Sequence, residues 1–138
     1  MKNLSHKNLI KAWLYKGKDD LLFAKASFKE TEFYDQICCL CQQAVEKCIK
    51  AIILTIKREI TKEDKIHNLN ILAKKCKSLI DLSQFDEELR ILSETYIPVR
   101  YPNEAHLKAF SKKEAKDSIE MTEKIINFID ERLIKILK

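Results

Sequence analysis

The chain has 138 residues, a length expected to form one domain over 1–138 with a core that needs no disulfide or metal. One Gly and two Pro are too few for the turns of a sandwich or barrel, and 46% apolar residues exclude a disordered chain. The net charge of +5 is a weak polyanion footprint, no apolar run approaches the about 18 residues of a membrane span, and Met1–Trp13 lacks an apolar signal segment, so a cytoplasmic location is expected.

The apolar period is helical nearly throughout. A first helix is predicted from Asn8 to Lys29, with Leu9, Trp13, Leu21, Ala24 and Phe28 inward and Gly17 as a modest interruption. A second covers Tyr34 to Arg58; it is the most apolar and is expected to be central. A third begins at Thr61, an N-cap candidate followed by Glu63 and Asp64, and carries Ile66, Leu69, Leu72, Cys76 and Leu79 inward. Ser83 caps a short fourth helix with Phe85, Leu89, Leu92 and Tyr96 on one side; Pro98 and Pro102 are expected to end it and to hold Val99–Tyr101 extended. Ser111 and Glu114 form a capping box that opens a last helix to Leu137, with Ala115, Ile119, Thr122, Ile126, Ile129, Leu133 and Ile136 inward. The fold class is all-α, an up-and-down antiparallel bundle of four long helices plus a short fifth.

Five cysteines are an odd number for a disulfide framework. Cys38 and Cys41 stand at C-x-x-C spacing, but no second pair completes a metal site, and Cys38, Cys41, Val45, Cys48 and Ile52 repeat at helical spacing as one apolar row. Packing is therefore their expected role, with no metal ligand. One Gly cannot build a phosphate-cradling loop, and no cofactor is expected.

Opposite that row, Gln43, Glu46, Lys47 and Lys50 share one arc of the second helix. The stripe is narrow and bordered by apolar residues, as in a partly covered site; an outer face with a Glu46–Lys50 pair at i,i+4 is the alternative. A second candidate is the stretch Tyr96–His106. Arg100 suits forked contacts to phosphate, Tyr96 and Tyr101 offer stacking surfaces, and His106 titrates near neutrality. The alternative there is a turn whose tyrosines pack on the bundle and whose Arg100 pairs with a carboxylate. His67 either packs or hydrogen-bonds near the start of the third helix.

Taken together, Asp20-Leu21 with Ala24, then Gln43-Ala44-Val45-Glu46-Lys47 with Lys50-Ala51, then His67-Asn68-Leu69, and Tyr96 with Arg100-Tyr101-Pro102, resemble the HEPN family of small helical proteins. The resemblance spans nearly the whole chain. It implies a four-to-five-helix bundle that pairs as a homodimer, and it directs attention to the stripe and the Arg100 stretch as the segments that the family uses. Some members are metal-independent endoribonucleases with an R-x(4–6)-H motif; others accompany a small nucleotidyltransferase in a toxin–antitoxin pair, or serve as its substrate- or nucleotide-binding partner. Five residues separate Arg100 from His106, within that spacing. Tyr101 and Pro102 stand where the ribonucleases place a polar residue, so the chain is similar to the R-Y-P branch, with Asn103 as a displaced polar group.

Two functions follow from the resemblance. In the first, Arg100 and His106 cleave RNA without metal, and Gln43, Glu46, Lys47, Lys50, Tyr96, Tyr101 and Asn103 hold the RNA or nucleotide. In the second, the same residues bind a nucleotide or dock a nucleotidyltransferase antitoxin without chemistry.

Overall fold

The structure, a computed structural model, describes residues 5–100 and 110–138, with the side chains of 96–100 excepted. Among the described residues five helices follow one another: α1 (His6–Glu30), α2 (Tyr34–Ile56), α3 (Leu69–Lys75), α4 (Asp86–Arg100) and α5 (Lys112–Leu137). Single 3₁₀ turns at Lys62–Asp64 and Ser83–Phe85 precede α3 and α4. No strand occurs among the described residues.

α2 is central because its sequence is apolar on nearly every side: fifteen of its 23 residues are buried. α1 runs antiparallel to it, since the His6 ring meets the Leu54 carbonyl at one end and Phe28 packs on Tyr34 at the other. α5 runs parallel to α2, with Ser118 against Cys38 and Thr122 against Cys41. α4 is antiparallel to α5, shown by Phe85 edge-on to Phe128 and Lys124 beside Glu88. The α1–α5 seam is tied by Lys18–Asp130 at 3.2 Å and by Lys25 with Glu123. The bundle is thus up-and-down over α1, α2, α4 and α5, and one continuous apolar core fills it.

Several sequence expectations shift. The buried stripe of α1 is Ile10, Leu14, Gly17, Leu21 and Ala24; Leu9, Trp13 and Phe28 flank it half-buried. Gly17 is no simple interruption. A Cβ there would stand 2.5 Å from Cys48 Sγ and 2.7 Å from the Ala44 carbonyl oxygen, so the missing side chain lets the two helices approach closely. Thr61 caps a 3₁₀ turn, and the third helix starts only after Asn68, whose side chain accepts from the Ile71 amide. This makes α3, with 7 residues, the short element and α4, with 15, one of the long ones. Beyond α3 the chain turns, so Ile80 enters the core in place of the exposed Leu79. Ser83 is the first residue of the 3₁₀ turn before α4 rather than a cap, and its amide donates to Asp81 Oδ1. Pro98 does not end α4: the helix continues to Arg100, and a proline so near a C-terminus removes only one late backbone donor. In α5 Ile125 and Ser118 are buried, while Ile136 is exposed.

All five cysteines are buried and none is in a disulfide, as helical spacing predicts for Cys38, Cys41, Cys48 and Cys76. Burial pushes Cys38 up to about 11 and Cys41, Cys48 and Cys76 up to about 12, so they remain protonated at neutral pH.

Candidate functional site

The polar stripe of α2 divides into two sets. Lys47 Nζ turns to α1 and donates to Asp20 Oδ2 at 2.6 Å, while Gln43 stays on its own helix and donates to Cys39 Sγ at 3.6 Å. Glu46 turns the other way, toward the loop before α3, and Lys50 lies between it and Trp13 of α1. They form the i,i+4 pair that their spacing predicts, with Lys50 Nζ 2.9 Å from Glu46 Oε2. The pair is not on an outer face, however: the two side chains are only 12% and 9% exposed. The Trp13 ring of α1 covers one side, its centroid 5.8 Å from Lys50 Nζ.

Glu46 is the hub. Its Oε1 accepts from Gln42 Nε2 at 3.1 Å and lies 3.0 Å from His67 Nδ1. Gln42 also donates to the His67 carbonyl at 2.9 Å and is fully buried. Burial alone would push the Glu46 carboxyl up; hydrogen bonds from His67, Lys50 and Gln42 outweigh it and hold the group below its ordinary range. An ionised carboxylate only accepts, so the proton between the two residues belongs to Nδ1, and the neutral ring carries its lone pair on Nε2. The imidazole is 59% exposed at the surface.

The next two residues fix this loop from behind. Asn68 caps α3, and the Leu69 amide donates to Ser93 Oγ of α4 at 2.8 Å. Arg100 stands two helical turns beyond Ser93 on the same helix, near-in-register on one face. The side chains of Tyr96 and Arg100 lie outside the described residues, as do Tyr101, Asn103 and His106 altogether. At the far side of that stretch the Phe110 amide returns to the bundle on Asp35 Oδ1, 2.8 Å away.

Among the predicted site residues, then, the structure places Glu46 and Lys50 in one network and sends Gln43 and Lys47 elsewhere. Gln42 and His67 join that network, and the sequence assigned neither to it. Gln42 falls 40° beyond Glu46 on the helical wheel, outside the stripe, and His67 is 21 residues away in the chain. The arrangement can bind an anion or exchange a proton at the exposed imidazole. No group of three or more metal-ligating side chains gathers among the described residues. No helix there is long and apolar enough to cross a membrane.

Comparison with solved structures gives two relatives at the level of fold. TT1696 from Thermus thermophilus superposes with a TM-score of 0.76 at 24% identity, covering 89% of this chain and 97% of that one. ST0689, described as an archaeal HEPN homologue, superposes with a TM-score of 0.70 at 20% identity over 100% of both chains. Comparison with curated proteins gives no match. The HEPN domain model matches residues 10–133, bounds that coincide with the first buried residue of α1, Ile10, and the last of α5, Leu133. Aligned from end to end of its hydrophobic core, the chain belongs to the HEPN domain family.

Proposed function

We propose that this protein is a cytoplasmic HEPN module of the toxin–antitoxin type, forming a homodimer that acts on RNA or a nucleotide and is paired with a small nucleotidyltransferase. One HEPN domain accounts for the chain. The observation that carries the reading is the Glu46 network. Three α2 side chains withdrawn from water form one network through Glu46, which meets an exposed imidazole in a loop bonded to the helix that carries Arg100. Desolvating Glu46 and Lys50 is unfavourable, and a helix surface needs no such pair for solubility.

In the catalytic form, the 2′-hydroxyl of RNA attacks the adjacent phosphorus, Arg100 stabilises charge on the phosphoryl oxygens, and His106 moves a proton. No metal is required for that chemistry. A second reading is favoured by Tyr101-Pro102 after Arg100: the same surface binds a nucleotide or docks the nucleotidyltransferase without cleavage. Incubation of single-stranded RNA with the protein in EDTA separates the two. Cleavage by the wild type that is lost in Arg100→Ala and His106→Ala establishes the first. No cleavage, together with saturable ATP binding that Arg100→Ala weakens, establishes the second. A protein that neither cuts RNA, binds nucleotides nor docks a nucleotidyltransferase would overturn both.

A further inference from the structure

The outer side of α1 carries large apolar side chains that no other helix covers. Tyr15, Leu22 and Phe23 are each more than half exposed. Tyr15 and Leu22 stand seven residues apart, so they fall within about 20° of one another on the helical wheel. Lys18–Asp130 and Lys25–Glu123 tie α1 to α5 in one antiparallel register. That register sets Ile134, one turn beyond Asp130 and also exposed, level with Leu14 and Tyr15. An apolar strip therefore straddles the α1–α5 seam, and the charges that close the seam are already paired within the chain.

Two further charges flank the strip. Lys11 stands four residues before Tyr15 and Asp19 four after it, and neither has an ion partner among the described residues. Lys11, Tyr15 and Asp19 thus form one i±4 ridge of α1, and two helices most often meet by packing such ridges together at about 50°. The equal spacing makes this ridge complementary to itself. A second α1, turned through 180° about an axis at Tyr15, runs antiparallel to the first and brings its Asp19 to Lys11 and its Lys11 to Asp19. A polyanion would meet Asp19 and a cationic partner would meet Lys11, so the pattern suits neither. The area is sufficient as well. With helices about 10 Å across, α1 and α5 side by side make a layer about 20 Å wide. Two such layers crossed at about 50° cover roughly 500 Å² of each other, or about 1,000 Å² in total, the size at which a specific interface begins.

We propose that the α1–α5 face is where a second copy of this chain docks, across a twofold axis that passes beside Tyr15. The inference rests on the homodimer of the reading given above and names its face. Tyr15 and Ile134 each lie against their own copies near the axis, and Lys11 of each protomer pairs with Asp19 of the other.

The test is sedimentation equilibrium of the full chain over a concentration series, with helical content followed by circular dichroism. The wild type is expected to be a dimer. Tyr15→Glu sets two like charges near the axis and is expected to raise the dissociation constant by about 100-fold or more, with helical content unchanged. Lys11→Glu and Asp19→Lys each oppose like charges across the interface and are expected to raise it by about tenfold. The double variant Lys11→Glu with Asp19→Lys restores both pairs with their signs exchanged, and is expected to recover the wild-type constant. The two positions are about 12 Å apart on their own helix, so a contact within one chain cannot produce that recovery. A wild-type dimer whose constant is unmoved by Tyr15→Glu would overturn the assignment and leave the homodimer standing on another face. Single variants that weaken the dimer with no recovery in the double would overturn it too. A wild type that is monomeric at every concentration would overturn the homodimer and this face together.

Discussion

Gly17 of α1 and Cys48 of α2 meet where a side chain on the first would overlap the sulfur of the second, with 2.5 Å between a Cβ and Sγ. The Ala44 carbonyl oxygen, at 2.7 Å, closes the same space with backbone that cannot swing away. Gly17→Ala is therefore expected to destabilise. A helix gains about 1 kcal/mol from Ala over Gly, but overpacking at a rigid contact costs about 1–3 kcal/mol, and two contacts under 3 Å place this site at the upper end. A lower urea midpoint would show it. Gly17→Ala with Cys48→Ala recovers only part of the loss, because the carbonyl contact remains. A Gly17→Ala variant as stable as the wild type would mean that the two helices can move apart freely.

The Glu46–Lys50 pair should behave as a buried pair. Glu46→Gln leaves the Lys50 ammonium, at 9% exposure, without its counter-charge and is expected to cost about 3 kcal/mol. Lys50→Met is expected to cost a similar amount, and the double variant less than the sum. His67→Ala, at the wet end of the same network, should cost about 1 kcal/mol. Urea unfolding of the four proteins gives the cycle; additive losses would contradict coupling.

Acid should destabilise the protein through two carboxylates. Asp64 is buried, and although burial would raise its pKa, Lys57, the Thr61 amide and Lys75 hold it well below the normal value of 3.8. Glu46 is likewise held below 4.5. A group whose folded pKa is depressed stabilises the fold above its unfolded pKa, and that contribution is lost as pH falls toward the folded value. Stability from these groups is thus flat from pH 7 to about 5.5 and declines below about 4.5. Asp64→Asn should weaken the protein at pH 7 and make its acid decline shallower. Urea midpoints across pH 7 to 2.5 measure this; an unchanged acid slope in the variant would assign the decline elsewhere.

The five thiols should be silent to a thiol reagent in the native state. All are buried, and four are pushed up to about 11 or 12. Labelling at pH 8 is expected to be limited by opening of the bundle, and five equivalents should react at once in denaturant. Rapid native labelling of Cys38 or Cys41 would contradict the packing role of the C-x-x-C pair.

Helix by helix, the sequence was most informative where the pattern was long or the cap distinctive. Ser111 and Glu114 marked the start of α5 because both halves of a capping box lie within one turn. The run from Ile37 to Leu54 marked α2 as central because few of its sides are polar. Boundaries failed where two local signals competed. Thr61 with Asp64 resembles a helix start, yet their bonds close a 3₁₀ turn, and Asn68 captures the true one. Pro98 reads as a stop, but α4 is held by Leu89 and Leu92 in the core and accommodates the lost donor near its end.

The HEPN motifs, the helical content and the Glu46–Lys50 spacing were all present in the chain as written, because each depends on neighbours within a few turns. Docking of the helices decided the rest. It made Gly17 a contact point, buried the Glu46–Lys50 pair, brought Gln42 beneath it, and carried His67 back across 21 residues to its carboxylate. The first depends on how α1 docks on α2 and the His67 contact on how the loop between α2 and α3 folds back, and no period or cap within a single helix contains that information.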